Sequence, residues 1–325
     1  MTILISDEQV RAHYPMGECI EAVEQAFEAA GRGGFDVTER KVVAVEEGAR
    51  LLSLTAGSAE LGRLVAHVYT GAPTGHDKTR SPVNQRQKLY LVFDAATGAC
   101  EAILAGEYLS WLKTGAMGAV AIKHLASPSA QSLAVMGSGR QARAALAGAV
   151  AVKDFSDIRV FSRNPENAER MVADFPELSG IRCVASAEGA VAGAHVVVTT
   201  TTSTSPILFG KWLDDGCHIN SIGAHYPDHR ELDTEAVRRS TVVVDSNVAA
   251  RVEKGELLLA EQDGAFSFDD VVGELGEVVA GKTTWSRANG ENTLFASCGS
   301  AIESLGAALG VMTAIPETER DDFVF

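Results

Sequence analysis

The segment Ser132–Ala142, SLAVMGSGRQA, constrains this chain more than any other. A strand-like SLAVM runs without a break into Gly137-Ser138-Gly139-Arg140-Gln141-Ala142, and a helix-forming stretch follows. An apolar run of that kind fits a strand covered on both faces, as in parallel sheets. In G-x-G-x-x-A the first glycine permits a tight turn, and the second lets a pyrophosphate approach the backbone. The small third residue lets helix and strand pack closely. The helix N-terminus adds unpaired N–H groups and the positive end of its dipole. Downstream, IRVFS, CVAS, HVVVTTTT, HINSIG and TVVVDS alternate with helical stretches. The pattern predicts an α/β fold, a doubly wound Rossmann sheet that binds a dinucleotide at this turn.

The end of the next strand bears on which dinucleotide. An NAD site usually places Asp or Glu there to bind the ribose 2′-hydroxyl. Here the residues are Ser162 and Arg163. A hydroxyl and a guanidinium can hold a 2′-phosphate that a carboxylate would repel. NADP is the expected cofactor, with NAD as the alternative. Thr199, Thr200 and Thr201, and then Ser221, Ile222 and Gly223, close two further strands at the sheet edge where such ligands lie.

With 325 residues the chain has room for two domains. Residues 6 to 33 read as helical, and KVVAV, RLLSL, LVAHVY and KLYLVFD read as strands. A polar, basic loop carrying His76, Lys78, Arg80 and Arg86 separates the last two. A small-residue helix is expected over 106 to 125, then a linker SPSA at 127 to 130. The segment ENTLFASCGSAIESLGAALGVMTAI reads as one long helix returning to the first domain. These readings divide the chain into a substrate and dimerisation domain of α+β type, residues 1–126 with 306–325, and a Rossmann domain, residues 127–305.

A net charge of −15 argues against nucleic acid as a partner, because duplex binding needs a basic face. No apolar run is long enough to span a bilayer, and the N-terminus has no cationic and apolar leader. The five cysteines are scattered and form no CxxC, so neither disulfides nor a metal site is expected, and a cytoplasmic setting is.

Several segments together resemble the ornithine cyclodeaminase/mu-crystallin family: YLSWLKTGAMGAVA, SGRQA, HINSIGAHYPDHRELD, TVVVDS and TLFASCGSAIES. The resemblance runs in order over roughly residues 5 to 312. It implies a homodimer, a substrate cleft beside the Rossmann domain, and a small imino or amino acid as substrate. Members include cyclodeaminases, alanine dehydrogenases, imine and ketimine reductases, and a hormone-binding lens protein.

By resemblance, Arg40 in ERKVV takes the place of the arginine that grips the substrate α-carboxylate. His67 in LVAHV stands where the family has a lysine near the reacting carbon. Lys113 stands where a second carboxylate-binding arginine is usual, and His225 where a catalytic aspartate is common. Histidine cannot replace the negative charge that would handle a distal ammonium, so cyclodeaminase chemistry is disfavoured. It can serve as acid or base near neutrality.

The expected reaction is NAD(P)H-dependent reduction of an α-imino acid to an L-amino acid. His225 is its acid/base, and His67 is a second proton donor or an orienting group. Arg40 and Lys113 hold the α-carboxylate. Arg80 and Arg86 are candidates for a second carboxylate, as in iminosuccinate. The alternatives are an ornithine or lysine cyclodeaminase, an opine-type, diamino-acid or alanine dehydrogenase, and a non-catalytic NADPH-dependent binding protein. His218, His229 and Asp228 read as structural.

Overall fold

The computed structural model describes residues 2–45, 49–71 and 87–323. Chain order gives β1 (Thr2–Ile5), β2 (Phe35–Val37), β3 (Lys41–Ala44), β4 (Arg50–Ser58), β5 (Arg63–Gly71), β6 (Lys88–Asp94), β7 (Cys100–Ala105) and β8 (Ser132–Met136). It continues with β9 (Asp157–Phe161), β10 (Ile181–Cys183), β11 (Val196–Thr199), β12 (His218–Ser221), β13 (Ser240–Val244), β14 (Gly273–Glu274), β15 (Asn292–Ala296) and β16 (Asp321–Phe323). The chain divides into two compact units, Met1–Lys113 with Ser300–Phe325, and Thr114–Gly299.

The first unit is built on a sheet in the order β16-β1-β7-β6-β5-β4-β2, with β3 also paired to β4. All its pairings are antiparallel except β1 with β7. Alternate residues of the strands are buried, including Leu54, Val65, His67, Tyr90, Val92 and Leu104. That period of two marks a sheet with one covered face. The helix expected over 6 to 33 is two helices, Asp7–His13 and Met16–Gly31. Pro15 divides them, since it has no N–H to give and cannot continue a helix. The Met16–Gly31 helix packs closely on Ile302–Ala314: a Cβ at Gly306 would lie 2.6 Å from the Ala22 carbonyl oxygen.

The second unit is the doubly wound sheet, ordered β10-β9-β8-β11-β12-β15-β13-β14 and parallel throughout. Two apolar clusters cover its faces, one around Leu133, Leu146, Val160 and Val198, the other around Val197, Ile219, Val244 and Leu294. One expectation fails here. Asn292–Ala296 is a central strand between β12 and β13, and the helix begins only at Ile302. All five residues of NTLFA are buried, and a short apolar run has no period that separates buried strand from buried helix.

The division between units also lies elsewhere than expected. It falls inside the Glu107–Leu125 helix, after Lys113, rather than at the SPSA linker, and at Gly299/Ser300 rather than at 305/306. The later turns of that helix belong to the sheet of the second unit. Gly118 accepts a bond from Asn220 Nδ2 at 2.9 Å, and a Cβ on Gly148 would strike the Gly115 carbonyl. Among the described residues no helix is long and apolar enough to cross a membrane.

Candidate active site

In the second unit β8 turns at Gly137, whose φ of +127° favours glycine, and a Cβ there would lie 2.7 Å from Thr200 Oγ1. Gly139 is the N-cap of the thirteen-residue helix Arg140–Val152 and provides no side-chain cap. The first N–H groups of that helix are therefore left to a ligand. A Cβ at Gly139 would meet nothing within 4 Å, so the space in front of the turn is open. Ala142 is buried against the sheet. Gln141 Oε1 is buried with no hydrogen-bond partner among the described residues, and Arg140 is exposed. An open turn and uncapped N–H groups fit a dinucleotide phosphate. At the end of β9, Ser138 Oγ donates to Ser162 Oγ at 2.9 Å, and Arg163 is exposed.

The other strand ends are fixed by charges that sequence reasoning missed. Glu231 is fully buried and accepts from Thr199 Oγ1 and Gly223 N, both at 2.8 Å, and from Thr201 N. Burial, then the neighbouring Glu256, push its carboxyl above the usual range. Lys254, also fully buried, donates to the carbonyls of Ser221, Ala224 and Ser297 at 2.9–3.0 Å and lies 3.5 Å from Glu256. Glu256 in turn accepts from Ser221 Oγ at 2.8 Å. Asp245 accepts from Ser297 Oγ and from the N–H groups of Cys298 and Gly299. These side chains hold the threonine run and the Ser221–Ile222–Gly223 turn in one shape. A charge so buried persists only when its hydrogen-bonding capacity is met. Glu231 lies within the HINSIGAHYPDHRELD run, which was the one signal available.

His225 follows that turn, partly buried, with Nδ1 3.1 Å from the Gly223 carbonyl. Nδ1 therefore carries the proton when the ring is neutral, and Nε2 is the acceptor. His218 is buried in β12 between Thr293 Oγ1 and Asn220 Oδ1, each at 2.9 Å, and burial pushes it down to about 3. It belongs to the core.

In the first unit His67 is buried in β5, stacked on Tyr90 with ring centroids 4.1 Å apart and 4.9 Å from Tyr69. Its Nδ1 lies 3.4 Å from Ser304 Oγ, while Nε2 has no partner among the described residues. Burial, then the charges of Lys113, Lys88 and Arg40, hold the imidazole well below its ordinary range. His67 is thus neutral and cannot donate as an imidazolium while those charges stand around it. Lys113 is buried and bonded to Glu303 at 2.8 Å, and Glu303 also accepts from Ser300 N and Ser300 Oγ. Lys88, which sequence reasoning passed over, donates to Ser110 Oγ at 3.1 Å. Arg80 and Arg86 lie outside the described residues.

The fold and these two clusters define a Rossmann-type nucleotide-binding protein with a separate α+β unit. The chain belongs to the ornithine cyclodeaminase/mu-crystallin family, whose model matches residues 1–319. It is 35% identical over 310 residues to the ketimine reductase mu-crystallin of Mus musculus, covering 94% of each chain. The structure of Thermococcus litoralis Δ1-pyrroline-2-carboxylate reductase in complex with NADH and L-proline superposes with a TM-score of 0.91 at 30% identity, over 99% of this chain and all of that one. An archaeal alanine dehydrogenase dimer with bound NAD gives 0.89 at 27% identity, over 99% of each chain.

Proposed function

We propose that this chain reduces the C=N bond of an α-imino acid with NAD(P)H, giving an L-amino acid, and catalyses the reverse oxidation at the same site. It is an NAD(P)-dependent oxidoreductase acting on CH–NH2 and C=N groups. One observation carries the reading. In a chain of net charge −15, Arg40, Lys88 and Lys113 act together on one buried imidazole, in a protein that also has an open dinucleotide turn. A group of cations of this kind, with Lys113 matched by Glu303, suits a small carboxylate substrate.

The bound nicotinamide supplies the hydride. Gly137, Ser138, Gly139 and the N-terminus of the Arg140–Val152 helix hold the pyrophosphate. Thr200, Thr201, Ile222 and Gly223 line the cofactor, and the fully buried Thr199 and Ser221 sit behind them, bonded to Glu231 and Glu256. With no acid at the end of β9, Ser162 and Arg163 favour the 2′-phosphate of NADP, and NAD is the weaker alternative. In the first unit Arg40 anchors the α-carboxylate. Lys113, matched by Glu303, fixes the potential around the anchor. Neutral His67, wedged between two tyrosines, orients the substrate. His225 delivers or removes the nitrogen proton through Nε2, its ring set by the bond to Gly223.

The functional protein is a homodimer. Val43, Leu51, Leu64 and Leu89 are 65%, 48%, 42% and 42% exposed, and the strand register places them all on the sheet face opposite His67. An apolar face of that kind needs cover, and a second copy provides it symmetrically.

The test follows oxidation of NADPH and NADH with Δ1-pyrroline-2-carboxylate and with pyruvate or oxaloacetate plus ammonia. Ammonia release from ornithine and lysine is measured in parallel. Turnover of at least one imine is expected, with NADPH favoured. Ammonia release without net cofactor oxidation would instead indicate a cyclodeaminase.

A further inference from the structure

We propose that Lys88 is a specificity residue that holds a second carboxylate of the substrate, so that the preferred imino acid is dicarboxylic. The inference rests on the imine-reductase reading and extends it to substrate class.

The placement follows from strand register. His67 of β5 pairs with Tyr90 of β6, and Tyr69 with Lys88. Side chains directly opposite in a ladder share a face, as do residues two apart along a strand. His67, Tyr69, Tyr90 and Lys88 therefore form one patch on the covered face of the sheet. Lys88 reaches across it to Ser110 Oγ at 3.1 Å, one helical turn before Lys113. Ser110 is buried, and Lys88 itself is only partly exposed, so the ammonium sits at the margin of the buried cluster rather than in open water.

Arg40 is rooted on the other flank of His67. It immediately precedes β3, which pairs with β4, which pairs with β5, whereas Lys88 lies on β6 beyond β5. Three steps of about 4.8 Å separate the strands that carry the two cations. Anchors rooted on opposite flanks of one imidazole suit two carboxylates on one short substrate better than a single carboxylate shared between them. His67 Nε2, buried and with no partner among the described residues, lies in the same patch and can bond to the substrate that spans them. The side chain at 88 also explains how a second carboxylate could be held without Arg80 or Arg86.

The experiment compares wild type, Lys88→Met and Lys88→Arg. Met keeps the length of the side chain and removes the charge, and thermal melting confirms that each variant folds. The ratio of kcat/KM for the imine of oxaloacetate to that for the imine of pyruvate is read for each. Wild type should favour the dicarboxylate by about tenfold or more, as one charge-assisted bond allows. The ratio should collapse by about tenfold in Lys88→Met and largely return in Lys88→Arg. Calorimetric binding of succinate and of propionate to the NADP⁺-loaded enzyme gives a readout independent of turnover. Succinate should weaken by about tenfold in Lys88→Met, and propionate much less. A ratio and a succinate affinity both unmoved by Lys88→Met would overturn the proposal while leaving imine reduction standing. If no imine is turned over, imine reduction fails, and the succinate titration still decides the role of Lys88.

Discussion

At the scale of single residues, the proposed chemistry rests on His225 and His67, and the proposed cofactor preference on Ser162. His225 is held by its own backbone at Gly223, so its tautomer is fixed before substrate arrives. His225→Ala should lower kcat by about 10²- to 10⁴-fold, the usual loss for a placed acid/base, with little change in cofactor affinity. Stopped-flow rates and fluorescence titration of NADPH separate the two effects, and an unchanged kcat would remove His225 from the mechanism. Ser162 bonds to Ser138 in the phosphate turn, at the position where an acid would select NAD. Ser162→Asp should shift the NADPH to NADH efficiency ratio toward NADH, because its carboxylate repels a 2′-phosphate. A ratio that does not fall would rule out NADP selection at this strand end. His67 shows how context overrides residue type: burial and three nearby cations favour the neutral ring of a titratable residue, which suits the orienting role proposed for it.

At the scale of elements, the parallel sheet is held at its functional edge by Glu231 and Lys254. Each end of Glu231 accepts hydrogen bonds, from Thr199 and Gly223 at one oxygen and from Thr201 at the other. Glu231→Gln points an N–H at a donor and should cost about 1–3 kcal/mol, the price of a buried unsatisfied group. Chemical denaturation should report that loss together with weaker cofactor binding. Wild-type stability in this variant would mean that the strand ends find other acceptors. A second consequence concerns acid. Buried His218 is depressed from 6.5 to about 3 in the folded protein, so on acidification the unfolded chain takes up a proton that the folded one refuses. Its contribution is complete above pH 6.5 and falls by about 1.4 kcal/mol per unit between there and about 3. His67 acts with the same sign. Denaturation across that window should give a shallower acid loss in His218→Gln than in wild type. Equal slopes would mean that His218 titrates normally.

These elements also explain what was legible in the sequence. The Gly137–Ala142 turn could be read directly because its parts are adjacent in the chain and each has a local reason. The alternating strands and helices after Ser132 fixed the sheet class for the same reason. β15 reads as part of a helix because all of NTLFA is buried on both faces and so carries no period of two. Glu231, Lys254 and Glu256 were passed over because charges are normally outside, and their partners lie many residues away. Lys88 looked like an ordinary charge at the start of a strand. Only the pairing of β5 with β6 shows that it shares a face with His67.

At the scale of the whole molecule, family membership and two separately built units point to one chemistry. One unit presents an uncapped helix and an open phosphate turn, and the other gathers cations about a neutral histidine. Neither cluster alone specifies imine reduction, since each has counterparts in binding proteins. The exposed apolar face of the first sheet adds the expectation of a dimer, and so of a functional unit larger than one chain. The most direct measurement follows deuterium from NADPH labelled at nicotinamide C4 into the product, with oxaloacetate plus ammonia or Δ1-pyrroline-2-carboxylate as substrate. One deuterium is expected at Cα of the L-amino acid, from one face of the nicotinamide, in step with cofactor oxidation. Amino acid formed without the label, or labelled cofactor left unoxidised in the presence of every imine tried, would contradict it.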